Sequence, residues 1–285
     1  GLMFPMIFAK GIEIGYAYTS FKWENNAKRN AGVTVVVINL RVERPGPKYI
    51  FTDGLQIEAK NVNGYLADAP VVWLKRQMRA RSSVLPLMTL GSVPKDDGYL
   101  VLEPHEEKSL VQSHPQASQF IKRYMGSAEF INDKERYCIW IRPEDAELAQ
   151  QIPELDQRMR RVAEFRAAST SSNTNALSDR PYRFWHVAYK PTDSVIVPSI
   201  SSGRREYIPI GYLSPDVVIS SKGFAVYDAE PWVFALLTSA MHMAWTRAVG
   251  GRMREDYQYS NTIVYNNFAV PPLTAVVKEQ LTVAA

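Results

Sequence analysis

The sequence predicts a mixed α+β chain, and three observations carry that prediction. Val33-Thr34-Val35-Val36-Val37-Ile38-Asn39-Leu40 is almost entirely β-branched, the composition of a central strand covered on both faces of a sheet. Short apolar runs bounded by turn residues recur along the middle of the chain, the mark of several small strands. Two longer helical patterns open at Pro153 and at Glu230-Pro231, proline being favoured in a first turn.

Taken in order, Met3-Phe4-Pro5-Met6-Ile7-Phe8-Ala9 is apolar without a helix cap and reads as a buried segment. With the β-branched run, residues 1 to about 43 read as the end of an α/β sheet domain. Arg44-Pro45-Gly46-Pro47 is a stiff break. Tyr49–Thr52 and Leu55–Ala59 then flank Asp53-Gly54, the two-residue signal for a type I′ hairpin. Val71–Leu74 and Tyr99–Leu102 read as strands, 105–113 and 116–124 as short helices, and Tyr137–Ile141 as another strand. The helix from Pro153 to about Ala168 places Leu155, Met159, Val162 and Ala163 at core spacing. Ser169–Ser178 is polar and reads as a flexible loop; short strands fill Trp185–Tyr227. Glu230–Ala248 is apolar almost all round and reads as one buried helix stopped by Gly250-Gly251. A short helix is expected after Pro272.

Composition narrows the function classes. The 285 residues carry 33 Lys+Arg against 29 Asp+Glu, a net charge of +4. One cysteine excludes a disulfide framework or a multi-cysteine zinc site within the chain and points to a reducing, cytoplasmic setting. The longest aliphatic run falls far short of the roughly 20 residues a membrane helix needs, and no signal peptide opens the chain, so no membrane association is expected. The charge is uneven: residues 103–152 hold six basic and nine acidic side chains, leaving +7 elsewhere. Such a surplus is compatible with a polyanionic partner.

Few residues suggest chemistry. The four histidines, His105, His114, His186 and His242, have no metal-ligand spacing, and His242 reads as a structural residue inside a buried helix. Cys138 sits mid-strand as a small hydrophobe. Neither a nucleophile elbow nor a phosphate-binding glycine loop is present. The basic clusters say more. Lys75, Arg76, Arg79 and Arg81 fall within seven residues without an acid, suiting phosphate neutralisation or a solvated loop. Arg158, Arg160, Arg161 and Arg166 are interleaved with acids and suit phosphate contact or helical ion pairs about equally. Ser201-Ser202-Gly203-Arg204-Arg205 is a turn with two arginines able to grip guanine O6 and N7. Arg247, Arg252 and Arg254 surround a helix stop, followed by Tyr257, Tyr259, Asn261, Tyr265, Asn266 and Asn267. That last stretch suits either DNA contact or fastening of the chain to the core.

These stretches together resemble one family. The matching residues are Ala17-Tyr18-Thr19-Ser20-Phe21-Lys22-Trp23 with Asn30-Ala31-Gly32-Val33-Thr34-Val35-Val36, then Asn63-Gly64-Tyr65-Leu66 and Gly126-Ser127-Ala128-Glu129-Phe130-Ile131-Asn132 running into Glu135-Arg136-Tyr137-Cys138. Ser201-Ser202 with Arg204-Arg205-Glu206-Tyr207-Ile208-Pro209-Ile210-Gly211 follows, then Thr238-Ser239-Ala240-Met241-His242-Met243 and Tyr257-Gln258-Tyr259-Ser260-Asn261 through Phe268. They are similar to the carboxy-terminal part of the MmeI-like, type IIL class of S-adenosylmethionine-dependent DNA methyltransferases.

The resemblance implies the last strands of a Rossmann-like catalytic domain at 1–43, a mixed α/β target recognition domain at 44–250, and the start of a carboxy-terminal segment at 251–285. It implies double-stranded DNA as partner and, in a longer bacterial parent enzyme, adenine-N6 methylation with S-adenosylmethionine. The family's cofactor loop and Asn-Pro-Pro-aromatic tetrapeptide have no match here, so no catalytic residue, no metal and no cofactor are assigned to this chain; its partner would be the amino-terminal catalytic domain. On this resemblance Lys75, Arg76, Arg79 and Arg81 are expected on phosphates, and Arg204 and Arg205, beside Ser202, on bases. Arg252, Arg254 and Asn261 complete the DNA-binding set, and Phe21 or Trp23 would either stack on a flipped base or pack in the core beneath the sheet. Gly203 stands where relatives often carry a longer polar residue. Two other classes fit the residues alone: a specificity module for a separate catalytic subunit, and a protein-interaction domain docking through 103–152.

Overall fold

The computed structural model describes residues 3–23 and 33–285; residues 24–32, part of the resemblance above, lie outside the described residues. Met3–Phe8 forms a helix (α1), followed by strands β1 (Ile12–Trp23), β2 (Val33–Val42), β3 (Lys48–Thr52) and β4 (Leu55–Ala59). Their sheet runs β2-β1-β3-β4, with β1–β3 parallel and both outer pairs antiparallel. Asp53 and Gly54 take φ of 48° and 78°, the two left-handed positions a type I′ turn requires. Ile14, Ala17, Ile50, Ala59 and Val62 form the core of this sheet, with Phe4 and Phe8 of α1 packed on it.

Three expectations change here. The apolar start is helical, and Met3 and Met6 are exposed. The β-branched run is an edge strand among the described residues, with Val36, Val37, Leu40 and Val42 exposed. β-branching selects extended backbone but does not decide what covers it. Val71–Leu74 is not a strand, because the Leu74 N–H donates to the Tyr65 hydroxyl at 3.1 Å rather than to a ladder.

The chain divides into two units: residues 1–81, 202–204 and 244–268 form one, and 82–201, 205–243 and 269–285 the other. The second begins with β5 (Thr89–Leu90), β6 (Val101–Leu102), α2 (Pro104–Ser113), β7 (Ile121–Met125), α3 (Ser127–Ile131), β8 (Tyr137–Ile139), α4 (Ala146–Gln150), α5 (Pro153–Ala167) and α6 (Ser172–Asn175). It continues through β9 (Ser194–Pro198), β10 (Ile200–Ser201), β11 (Gly211–Leu213), β12 (Val217–Ile219), β13 (Gly223–Tyr227) and α7 (Pro231–Leu237). Two sheets, β11-β9-β13-β5 and β12-β7-β8-β6, form its frame. The expected helix over 116–124 is a 3-10 turn at Pro115–Phe120 leading into β7. Pairing of Ile121, Lys122 and Arg123 with β8 overrides local propensity there.

Helix α5 buries Leu155, Met159, Val162 and Arg166 on one stripe. The arginine takes a core position and spends every guanidinium donor on backbone: Nε on Lys95 O, Nη1 on Leu177 O and Arg180 O, Nη2 on Pro94 O and Arg183 O, at 2.7–3.2 Å. Residues 169–178, expected to be a flexible loop, contain α6 and are tied down by this clasp and by Asn175 Nδ2 on Ala167 O. Burial pulls the Arg166 guanidinium below its usual range, with Asp96 opposing that shift.

Glu230–Ala248 is two helices, not one: α7 ends at Leu237 and α8 spans Ala240–Val249. Thr238 Oγ1 bonds back to Phe234 O at 2.9 Å, and Ser239 Oγ donates to Leu236 O while accepting the His242 N–H. Such hydroxyls compete with the helix ladder. Then follow the hairpin β14 (Gly251–Met253) and β15 (Asp256–Gln258), a π-helical turn at Asn261–Tyr265, and α9 (Ala275–Val283), capped by Thr274. Among the described residues, no helix is long and apolar enough to cross a membrane.

Two predictions follow from the buried groups. Arg166→Ala strands five carbonyls and should lower the urea unfolding free energy by about 3 kcal/mol or more; a loss below about 1 kcal/mol would show that the clasp is dispensable. His242, buried with Nδ1 at 2.8 Å from Leu237 O, has its pKa pushed down from 6.5 to about 4 by burial. The unfolded chain therefore binds the proton first as pH falls, so stability drops below pH 6.5, by about 2 kcal/mol between neutral pH and pH 5. Urea titrations of wild type and His242→Gln should differ in this slope.

Candidate nucleic-acid interface

In the first unit a cleft of about 700 Å³ is lined by Ser20, Phe21 and Lys22 of β1, the Thr52-Asp53 turn, Tyr65, Leu66, Gly203, Arg247, Arg252, Arg254, Glu255 and Tyr257. Local geometry brings them there. Strand β1 shifts register between Tyr18 and Phe21, and a bulge of this kind re-aims the side chains beyond it. Before the shift, Tyr18 stacks on Phe51 with centroids 4.4 Å apart; after it, Phe21 is exposed and faces the cleft. Leu66 sits at φ 58° because the Asn63 Oδ1 accepts the N–H groups of Tyr65 and Ala67.

The β14–β15 hairpin supplies the cations. Arg254 sits in its two-residue turn at φ 59°. The Arg252 guanidinium lies 3.8 Å from the Tyr257 ring centroid, and Arg247 Nε donates to the Tyr257 hydroxyl at 3.3 Å. Lys22 Nζ is 3.3 Å from Glu255 Oε1. A Cβ at Gly203 would run into the Glu255 carbonyl oxygen, so a glycine lets the hairpin turn seat closely. Lys22, Arg247, Arg252 and Arg254 face two carboxylates, Asp53 and Glu255. This is an electropositive cleft with an exposed aromatic in its wall, chemistry suited to phosphates and a stacked base.

The basic loop is presented rather than packed. Gln77 N donates to Thr262 O and Arg81 N to Asn266 O. Asn266 Nδ2 reaches Gln77 O at 2.7 Å, and Asn267 Nδ2 reaches Lys75 O, Thr262 O and Ile263 O at 3.1 Å. Asn266 and Asn267 are buried and thus fasten the chain, as do the buried Tyr259 and Tyr265. With their backbone held, Lys75, Arg76, Arg79 and Arg81 are exposed and form no ion pair among the described residues.

Of the residues singled out by sequence, the cleft gathers Phe21, Gly203, Arg247, Arg252, Arg254 and Tyr257. Trp23 is exposed with its ring 6.4 Å from Phe21 and does not line the cleft. Lys75, Arg76, Arg79, Arg81, Ser202, Arg204 and the half-buried Asn261 belong to the same unit but lie outside the lining; Arg205 belongs to the other unit. Lys22, Asp53 and Tyr65 are lining residues that sequence reasoning missed. Only tertiary contact reveals them, since Lys22 meets Glu255 across most of the chain.

Residues 68–272 match the family described as MmeI, target recognition domain, and residues 1–52 match MmeI, DNA-methyltransferase domain. The chain is 34% identical over 281 residues to DNA methyltransferase A of Bacillus subtilis (strain 168), covering 98% of this chain and 32% of that protein. The solved structure of the type IIL restriction–modification enzyme MmeI in complex with DNA matches with a TM-score of 0.87 at 32% identity, covering 98% of this chain and 38% of that one. The chain thus spans about a third of its relatives' length.

Replacing Asn267 by the isosteric aspartate converts three donated bonds into carbonyl–carboxylate repulsion. Asn267→Asp should cost on the order of 3 kcal/mol at neutral pH and speed amide exchange at Gln77 and Arg81. Unchanged exchange at those two amides would refute the fastening role.

Proposed function

The chain belongs to the MmeI family, with the target recognition domain over residues 68–272, and on that premise we propose that it reads DNA sequence for a restriction–modification methyltransferase. The observation that carries this is the electropositive cleft with Phe21 in its wall, accompanied by the exposed Lys75–Arg81 loop on a fastened backbone. The loop cations neutralise phosphates, which positions a duplex without reading it. Arg204 and Arg205 are exposed on the turn after Ser202 and supply bidentate donors to base edges. Arg252 and Arg254 bind backbone at the cleft, with Asn261 nearby in sequence. Phe21 offers its face to a base taken out of the stack, with Trp23 as the neighbouring aromatic.

The parent activity is adenine-N6 methylation with S-adenosylmethionine, the cofactor supplying the methyl group when bound elsewhere in the longer protein. This chain's cleft does not fit that cofactor, since four cations would face its sulfonium charge. No step is therefore assigned to it here; the residues present hold and orient DNA.

Fluorescence anisotropy of the chain with duplexes across a salt series tests the assignment. Arg79→Ala should weaken all sequences about equally and reduce the salt slope by about 1. Arg205→Ala should relax discrimination at one base pair by roughly 1–3 kcal/mol. The reading falls if duplex binding is absent or insensitive to salt. In the parent enzyme, unchanged turnover after Phe21→Ala in a stably folded protein would remove the stacking role.

A further inference from the structure

The second unit carries a cleft that the reading above does not use. It has a volume of about 330 Å³ and is lined by Trp140, Arg142, Tyr182, Arg183, Phe184 and Tyr189, among others. Trp140 lies at centroid distances of 4.9 Å from Phe184 and 5.0 Å from Tyr189, and Tyr124 meets Phe184 edge-on at 5.9 Å. The wall is thus a continuous aromatic cluster. Its charge is all of one sign: two arginines and no carboxylate line it, and Lys122 Nζ stands 5.2 Å over the Tyr189 ring. Arg142 is held by Asp145 at 2.7 Å and Glu144 at 3.4 Å. Arg183 is exposed and has no ion pair among the described residues.

The cleft is also held in advance. Arg166 binds the carbonyls of Arg180 and Arg183 from beneath, fixing the backbone on either side of Tyr182. A ligand would not have to order this segment, so binding is spared that entropy. The volume lies at the small end of the roughly 300–1,000 Å³ typical of ligand sites, the size of one flat group and its attachments rather than of a folded peptide. Aromatic rings set at 60° and 66° to Trp140 offer separate faces and edges to a flat ligand, and with an uncompensated guanidinium beside them they call for a planar ring carrying an anion. A proline-rich peptide would use the aromatic wall but leave Arg183 without a counter-charge.

We propose that this cleft binds a nucleotide, with the base against the Trp140–Tyr182–Tyr189 wall and the phosphate on Arg183. The ligand is either a free nucleotide or a single unpaired residue of a strand, and both share this chemistry. The proposal does not rest on duplex recognition, because none of these residues belongs to the cation-lined cleft or the Lys75–Arg81 loop.

Equilibrium dialysis of the 285-residue chain against labelled adenosine monophosphate, and separately against a labelled single-stranded hexanucleotide, decides it. At least one should bind saturably, and Tyr182→Ala and Arg183→Glu should each weaken it about tenfold or more with circular dichroism unchanged. Arg79→Ala should leave this binding intact, which separates it from duplex binding through the basic loop. Binding of the monophosphate supports a free-nucleotide site; binding of the hexanucleotide alone supports a site for an unpaired strand residue. Adenosine should lose affinity with Tyr182→Ala but not with Arg183→Glu. The proposal is overturned if neither probe binds, if both variants bind as wild type, or if a proline-rich peptide binds through Tyr182 where nucleotides do not.

Discussion

Long irregular stretches at 61–81 and 177–193 must satisfy buried backbone groups without a helix or strand ladder. The molecule meets that constraint with a few buried side chains whose donors are spent on carbonyl oxygens. Arg166 takes five, Asn267 three, and Asn63 ties Pro70 O while accepting two amides of its own turn. A guanidinium suits the role because its donors diverge in a fixed plane. Its charge is the cost, and burial accordingly pulls the Arg166 pKa down. Asp96, itself buried and pushed up by desolvation while accepting the Leu100 amide, opposes that shift with its charge.

Fastening of this kind separates holding from presenting. Asn266 and Asn267 fix the backbone of the 75–81 loop, and its four cations face outward. Exposed cations contribute little to folding, so they are free to serve a partner. The same division recurs at the hairpin, where Tyr257 is buried and anchors both Arg252 through its ring and Arg247 through its hydroxyl. Preorganised cations lose less side-chain entropy on meeting an anion, which makes a stacked or pinned arginine a better phosphate ligand than a free one.

What sequence could reveal follows from whether the cause is local. The Asp53-Gly54 hairpin, the Pro153 helix with its core stripe, and the Thr274-capped carboxy-terminal helix were legible because two to four neighbouring residues dictate each. The single long helix expected over 230–248 failed on a local competition, the Thr238-Ser239 hydroxyls against the ladder. The acids interleaved with the α5 arginines suggest ion pairs, and Arg160 does pair with Asp156, but Arg166 turns inward. Its five carbonyl partners lie 11 to 72 residues away, and no local pattern encodes them. The cleft was half legible for the same reason: Phe21, Arg252 and Arg254 stood out by type, whereas Lys22 and Tyr65 join through long-range packing.

The register shift in β1 shows how a site gains a residue that the fold would otherwise hide or misdirect. Ile14 and Ala17, three residues apart, both reach the core because an earlier register shift falls between Ile14 and Tyr16, while Tyr16 and Tyr18 stay exposed beside Phe51. Thr19 and Ser20 together stand opposite the single residue Val36, one residue more than a regular ladder holds, before Phe21 pairs with Val35. Without this bulge, strict period-two pairing would assign Phe21 to the opposite face from Tyr18. With it the strand end is re-aimed, and an aromatic side chain remains exposed at the wall of a cationic cleft. An exposed phenylalanine loses the hydrophobic stabilisation of burial, roughly 1.5–3 kcal/mol for a full side chain. On the proposed reading, a flat base bearing phosphate charge covers that exposed ring and meets the four cations that line the same cleft.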